Sequence, residues 1–138
     1  MNITGMLHGA RLLRYVDFPT SEVLGPGASE EQIRELIARH GEIFIKPVFK
    51  GGVGKKGKSG LIGRATDYKT ALREKERLFF CEHTHGNTIA KANGVTFEGS
   101  VPARHEVYFS ISDSTIYRAP TITLTHKGGI DIEDLDKT

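Results

Sequence analysis

Residues 50–64 read KGGVGKKGKSGLIGR, and the structure on either side of this stretch decides the fold. By spacing alone, the run from Gly52 to Ser59 matches the phosphate-binding loop pattern G-x-x-x-x-G-K-[ST]. A loop of that class needs a helix that begins at its Lys-Ser pair, because the helix N-terminus binds the phosphates. Gly60 interrupts a helix at that point, and Leu61-Ile62-Gly63 is typical of an extended segment. The sequence therefore favours a β-hairpin with a cationic tip over a P-loop.

Strand signals flank the loop on both sides. Residues 42–48 before it are apolar and β-branched, with Pro47 marking the edge or end of the strand, and residues 61–65 after it form a short apolar run. Lys46 lies inside the first strand, where an unpaired ammonium group is costly, so we expect an anionic partner for it. A surface hairpin that is basic for solubility is the plainer interpretation of the loop.

Three helices are predicted. The first covers residues 5–16, and the second begins after Ser29, which forms a capping box with Gln32, and ends at Gly41. The third covers Asp67 to about Phe80, with Thr66 as its N-cap. The expected apolar faces consist of Met6, Leu12, Leu13 and Val16 in the first helix, Ile33, Leu36 and Ile37 in the second, and Ala71, Leu72, Leu78 and Phe79 in the third.

The remaining chain is predicted to be mostly β-structure. Short strands are expected at 21–24, 94–98, 104–112 and 116–125, with a turn at 112–115. Between the third helix and these strands, CEHTHGNT is predicted to be a polar break. Its Cys81, His83 and His85 have the alternation of a zinc site, but no fourth ligand is evident, and a plain connection is the favoured interpretation.

Composition narrows the class of protein. The 138 residues suffice for one domain or two small lobes, no apolar run is long enough to span a bilayer, and no secretory signal is visible. A single cysteine suits a reducing cytoplasm. The segment 43–65 carries five lysines, one arginine and no acid, although the net charge is only +2 and the tail is acidic. This local basic block indicates an anion site, and we expect neither a nucleic-acid nor a membrane partner.

Four segments resemble the ATP-grasp acyl-CoA ligases, the family of the succinyl-CoA synthetase β chain and the N-terminal part of ATP citrate lyase. The first is IFIKPVFKGGVGKKGKSGLIG (43–63), a strand lysine followed by a loop that ends in Gly-Lys, a small residue and Gly. The others are LLRYVDFPTSEV (12–23), FEGSVPARHEVYFSI (97–111), in which two acids stand eight residues apart, and THKGGIDIEDLD (125–136). Together the segments span nearly all of the chain.

The resemblance implies a phosphate-binding role for the basic segment. Lys46 would contact the ATP phosphates, and Lys55, Lys56 and Gly57 would form the tip of the loop that covers them. Lys56 stands where the family commonly has arginine, so the charge is kept while the bidentate contact is lost. The loop also differs by a residue or two in length from those of its relatives.

The resemblance assigns the purine and the ribose to the later motif. Glu98 and its neighbours would form the hinge beside adenine, with a main-chain contact from Val101, and Glu106 would accept hydrogen bonds from the ribose hydroxyls. Without the resemblance, Glu98 and Glu106 would be interpreted as surface acids at strand ends.

The expected fold is therefore α+β, an α/β sandwich that represents an incomplete ATP-grasp fold. Residues 21–97 would form the small lobe with its phosphate-covering hairpin, and residues 1–20 and 98–138 would begin the second lobe. In the family, an asparagine and an aspartate of the later half hold Mg²⁺, and this sequence supplies no segment that matches them. We therefore expect a truncated form without catalytic residues or metal ligands, which alone is inactive and binds nucleotide at most weakly.

The function that the resemblance implies is nucleotide binding within an ADP-forming carboxylate–CoA ligase or an ATP citrate lyase-like enzyme. In the complete enzyme, ATP or GTP would phosphorylate a histidine of a partner chain or domain. The phosphoryl group would pass to a carboxylic acid, and CoA would capture the acyl phosphate as a thioester. A cytoplasmic hetero-oligomer is the expected assembly. The alternatives are a non-catalytic nucleotide- or RNA-binding module and a fragment of a P-loop-type NTPase.

Overall fold

A computed structural model describes residues 5–49, 60–85 and 87–126, which form a mixed α+β chain. It divides into two compact units, Met1–Val101 and Pro102–Thr138. The described elements are α1 (Gly5–Tyr15), β1 (Val23–Leu24), α2 (Glu30–His40), β2 (Ile43–Phe49), β3 (Gly63–Ala65), α3 (Tyr68–Phe79), β4 (Glu82–His85), β5 (Thr88–Gly99), β6 (Tyr108–Ser114) and β7 (Ala119–Thr125). The assignment of 1–20 and 98–138 to a second ATP-grasp lobe stays a prediction.

The sheet of the first unit is built around β5. Its strand order is β1-β5-β2-β3, and β4 pairs with the N-terminal part of β5. All described pairings are antiparallel. In the register between β2 and β5, Lys46 lies opposite Thr96 and Phe44 lies opposite Glu98. This register brings together residues that are about fifty positions apart in the sequence.

The strands predicted on either side of the glycine-lysine loop are confirmed. Strands β2 and β3 pair antiparallel, with Ile43 opposite Ala65 and Ile45 opposite Gly63. From Gly60 onwards the next helix begins only at Tyr68, so the helix that a P-loop requires at this point is not formed in the described residues. Gly60 adopts a φ of 70°, which favours glycine, and its carbonyl accepts a hydrogen bond from Arg77 of α3.

Helices α2 and α3 pack on one face of the sheet. Strand β2 alternates buried and half-buried residues, as expected for a strand with one face on the core. The core cluster on that face includes Ile33, Leu36, Ile43, Ile45, Ala71, Leu78, Val95 and Phe97. The predicted capping box of α2 is confirmed, since Ser29 and Gln32 exchange both hydrogen bonds. The N-cap of α3 is Asp67, which accepts from the Thr70 amide, so the assignment to Thr66 was wrong by one residue.

Two expected apolar faces differ from those observed. In α1, Ala10 is buried, whereas the four residues assigned to the buried face, Met6, Leu12, Leu13 and Val16, are exposed. In α3, Leu72 is also exposed while Leu78 is buried. Hydrophobic spacing identifies a possible face for a helix, but the neighbours that the fold supplies decide which residues are covered.

The predicted polar break after α3 was wrong in part, because residues 82–85 form β4. Strand β5 extends beyond the residues that pair with β2, and its N-terminal part offers hydrogen-bonding groups to β4. Polar side chains such as Glu82 and Thr84 are compatible with such a strand because both are exposed.

The second unit contains a two-stranded sheet, β6 and β7. The turn between them covers residues 115–118, three positions later than predicted, and Arg118 has a positive φ of 52°. One face of this hairpin carries four exposed apolar side chains, Phe109, Ile111, Ile122 and Leu124. Among the described residues, no helix has the length and hydropathy needed to cross a membrane.

Candidate functional site

An ion pair joins the two central strands of the first unit. Lys46 of β2 donates to Oε2 of Glu98 in β5, with 2.5 Å between Nζ and the oxygen. The hydroxyl of Thr96 donates to the other carboxylate oxygen over 3.2 Å. Both oxygens of Glu98 therefore have a donor, which explains how a charged group is tolerated inside the sheet.

The two partners differ in exposure. Glu98 is 4% exposed, whereas the side chain of Lys46 is 31% exposed. An ammonium group has three N–H donors, and among the described residues Glu98 is its acceptor. The carboxylate therefore fixes the ammonium at the border between the sheet and solvent.

These residues lie on the face of the sheet opposite the core. Side chains alternate along a strand, so Phe44 and Lys46 face away from Ile43 and Ile45. Arg64 of β3 lies opposite Phe44, and its guanidinium stands 5.3 Å from the centre of the Phe44 ring. We call Phe44, Lys46, Arg64, Thr96 and Glu98 together the polar face.

The polar face contains residues that the sequence predicted and residues that it did not. The expectation of an anionic partner for Lys46 is confirmed, and the partner within the chain is Glu98. Interpreting Glu98 as a surface acid was wrong, because β5 is flanked by β1 and β2 at that position. Arg64 and Thr96 were not identified from the sequence. Strand alternation could have suggested them, but only once the pairing of β2 with β3 and β5 was known.

The other predicted site residues are distributed over the chain. Lys55, Lys56 and Gly57 fall outside the described residues. Val101 is exposed at the end of the first unit, and Glu106 is exposed in the second unit. The proposed roles of these five residues stay predictions.

The histidines near Cys81 do not form a recognisable metal site in the described part of the chain, where no group of three His, Cys, Asp or Glu residues has suitable geometry. The ring of His83 lies 6.2 Å from that of Phe49, which is an aromatic packing contact. The side chain of His85 is outside the described part, so its place in the trio stays a prediction.

A cleft of about 480 Å³ lies beside α1 and β1, away from the ion pair. Arg11, Arg14, Val23, Pro26 and Gln32 contribute to its lining, whereas Lys46 and Glu98 do not. Arg14 is already engaged, since it donates to the Thr20 hydroxyl and the Ser21 carbonyl. The polar face carries the ion pair of Lys46 and Glu98 and a further cation, Arg64, and is therefore the stronger candidate site.

No protein-family model matches the chain, and no curated protein matches its sequence significantly. A function for the chain is therefore inferred from its residues and from their geometry.

Proposed function

We propose that the chain binds the phosphates of a purine nucleoside triphosphate, ATP or GTP, over its polar face, as the nucleotide-binding part of an ADP-forming carboxylate–CoA ligase or an ATP citrate lyase-like enzyme. One observation carries the proposal. Lys46 lies on β2, the strand that leads into the glycine-lysine loop, and the buried carboxylate of Glu98 in β5 holds its ammonium group in place. The resemblance of four segments to the ATP-grasp acyl-CoA ligases supports the same assignment.

Phosphate binding follows from the charges on this face. Hydrogen bonds between an ammonium and a phosphate oxygen are charge-assisted and stronger than neutral ones. Glu98 offsets part of the charge of Lys46, but it also holds the side chain in one orientation, which lowers the entropy lost when a ligand binds. Arg64 supplies a second cation on the same face, and Lys55, Lys56 and Gly57 would add donors from the loop.

In this proposal the purine lies beside the residues that follow the ion pair, with Val101 offering its main-chain groups. Glu106 would bind the ribose. The complete enzyme would use the nucleotide to phosphorylate a histidine of a partner chain, and the phosphoryl group would then pass to a carboxylic acid for capture by CoA. In the described ranges, no group of three His, Cys, Asp or Glu residues is arranged to hold a metal ion, and no Mg²⁺ ligand is proposed among them.

Calorimetric titration of the full chain with MgATP and MgGTP tests the proposal. Lys46→Met should weaken binding by about tenfold or more, because a charge-assisted hydrogen bond to phosphate is lost. Arg64→Met should weaken it by a smaller factor, because Arg64 is exposed and its charge is better screened. Lys69→Met is the matched control, since Lys69 is an exposed lysine of α3 on the other side of the sheet.

Two results would contradict the proposal. One is wild-type protein that takes up neither nucleotide, and the other is a Lys46→Met variant that binds as tightly as the Lys69→Met control. A single-stranded RNA probe in the same titration identifies the alternative module. Binding of RNA that falls steeply as salt rises, without selectivity for the purine triphosphate, would favour that alternative.

A further inference from the structure

We propose that His40 is a positioning residue for the strand end Gly99–Val101 and that it thereby determines which purine the site prefers. The inference rests on the proposed function, because selectivity between purines has meaning only if a nucleotide binds. Sequence gave no reason to single out His40, which is the last residue of α2.

The imidazole ring of His40 lies between two oxygen atoms from other elements. Its Nδ1 lies 3.2 Å from the carbonyl oxygen of Ser100, and its Nε2 lies 3.4 Å from Oε2 of Glu22. The ring is three-quarters covered, with its side chain 24% exposed. One side chain therefore connects the end of α2 to the strand end and to the residue that precedes β1.

Glu22 is itself held in place. Arg39 donates to both of its oxygens, with Nη2 2.6 Å from Oε1 and Nε 3.2 Å from Oε2. Burial alone would raise the pKa of Glu22, but hydrogen bonds from Arg39 and His40 and the attraction of both side chains together hold that pKa below its usual range. The carboxylate is thus a charged and oriented support for the ring of His40.

Gly99 fits the ring closely. A Cβ atom added at Gly99 would lie 2.5 Å from Cδ2 and 2.6 Å from Nε2 of His40, distances that no side chain could accept without a shift. The backbone at the end of β5 therefore lies directly against the imidazole. Only glycine at position 99 permits this approach.

Three contacts fix the strand end. The Gly99 amide donates to the carbonyl of Glu22, which precedes β1, and the Ser100 amide donates to the carbonyl of Glu42, which precedes β2, each over 3.0 Å. The third contact comes from α2, where His40 faces the Ser100 carbonyl. The polar face lies on the other side of the same strand, with Glu98 in contact with Lys46. The main chain of Val101 makes no hydrogen bond to another residue in the described ranges, so it is the part of the strand end left for a ligand.

A fixed main chain can discriminate between purines. Adenine presents an acceptor at N1 and a donor at N6, whereas guanine presents a donor at N1 and an acceptor at O6. A peptide group held in one orientation satisfies one pattern and leaves unpaired polar groups with the other, which is how hydrogen-bonding sites reject a close analogue. If His40 no longer held Ser100, the following peptide would be able to reorient, and the preference between the two bases would fall.

The test compares the affinities of the full chain for MgATP, MgGTP and inorganic tripolyphosphate. In His40→Ala, the ratio of the ATP and GTP affinities should move towards one by about fivefold, as expected for the loss of one oriented hydrogen-bonding group. Affinity for tripolyphosphate should stay within about twofold of wild type, because the phosphates bind elsewhere on the face. His40→Asn should retain part of the selectivity, because its amide can still donate to Ser100.

Gly99→Ala supplies a second, independent measurement of the contact. It should destabilise the wild-type protein in urea more than it destabilises the His40→Ala variant, because the clash disappears with the ring. A wild-type protein that prefers one purine and a folded His40→Ala variant with an unchanged ratio would overturn the inference alone. Equal wild-type affinity for both purines would also overturn it and leave the proposed function standing, whereas wild-type protein that binds no nucleotide would overturn both.

Discussion

At the scale of single residues, the pair of Lys46 and Glu98 combines a buried carboxylate with an ammonium group that reaches solvent. Removing two ions from water costs about as much as their attraction returns, so a buried ion pair is a poor source of stability. Such a pair therefore contributes little net stability to the sheet.

Lys46→Met should lower the free energy of unfolding by roughly 1–3 kcal/mol, because it leaves the carboxylate of Glu98 buried without its cation. Glu98→Gln should cost less, since the amide oxygen still accepts from Thr96 and the ammonium can reach water. The double variant should be more stable than the sum of the two single effects implies, by about 1 kcal/mol. Urea denaturation of the four proteins measures this coupling, and strictly additive effects would show that the two side chains do not interact in solution.

At the scale of elements, the cap of α3 shows where reasoning from the sequence was inaccurate. Thr66 and Asp67 are adjacent residues, and both can cap a helix. In the structure, Asp67 accepts from the amide and the hydroxyl of Thr70 over 2.8 and 2.7 Å. Which of the two residues caps the helix depends on where the backbone changes from the extended conformation of β3 to the helical one. Residue preferences for the N-cap position do not contain that information.

Asp67→Ala should therefore lower the urea midpoint, and Thr66→Ala should leave it unchanged. Hydrogen bonds from Thr70 hold the pKa of Asp67 below its ordinary value of 3.8. A lowered folded-state pKa means that the carboxylate stabilises the helix above that ordinary pKa and that this contribution is lost as the pH falls through the lower value. Asp67→Asn keeps a hydrogen-bond acceptor but lacks the charge. The stability of this variant should therefore change less than that of the wild type as the pH falls below about 4. A Thr66→Ala variant that loses as much stability as Asp67→Ala would contradict this assignment.

The exposed and buried leucines of α3 give a second comparison. Leu78 is fully buried, whereas Leu72, which hydrophobic spacing placed on the same face, is 40% exposed. Leu78→Ala should cost about 2–5 kcal/mol, because it leaves a cavity in the core. Leu72→Ala should cost less than about 1 kcal/mol. Equal costs in thermal or urea unfolding would mean that the helix is rotated relative to the sheet.

The elements themselves could largely be predicted, while their pairing could not. The capping box at Ser29 and the strands on either side of the glycine-lysine loop depend on local signals, and both were found. The contact between Lys46 and Glu98 depends on a register between residues that are 52 positions apart, and local patterns contain no such information. His40 and Arg64 were missed for the same reason, because each acquires its partners only when distant segments pair.

At the scale of the whole molecule, the two units differ in how much of their apolar surface is buried. In the first unit, α2 and α3 cover one face of the sheet. In the second unit, the described residues include one hairpin and no helix, and a two-stranded sheet is only marginally stable on its own. The apolar side chains of Ile111 and Ile122 are exposed on one face of this hairpin.

Ile111→Thr/Ile122→Thr should reduce the binding of a hydrophobic dye to the protein and its tendency to associate at high concentration. The two isoleucines lie directly opposite each other, and each is 65% exposed, so together they form the centre of the patch. Threonine keeps the β-branched shape that suits a strand, so the hairpin should persist. Unfolding of the first unit should change by less than about 0.5 kcal/mol, since exposed substitutions outside it remove no core contact. Ser112→Thr on the other face of the hairpin is the control, and dye binding that is as strong in the double variant as in this control would show that the isoleucines are covered in solution.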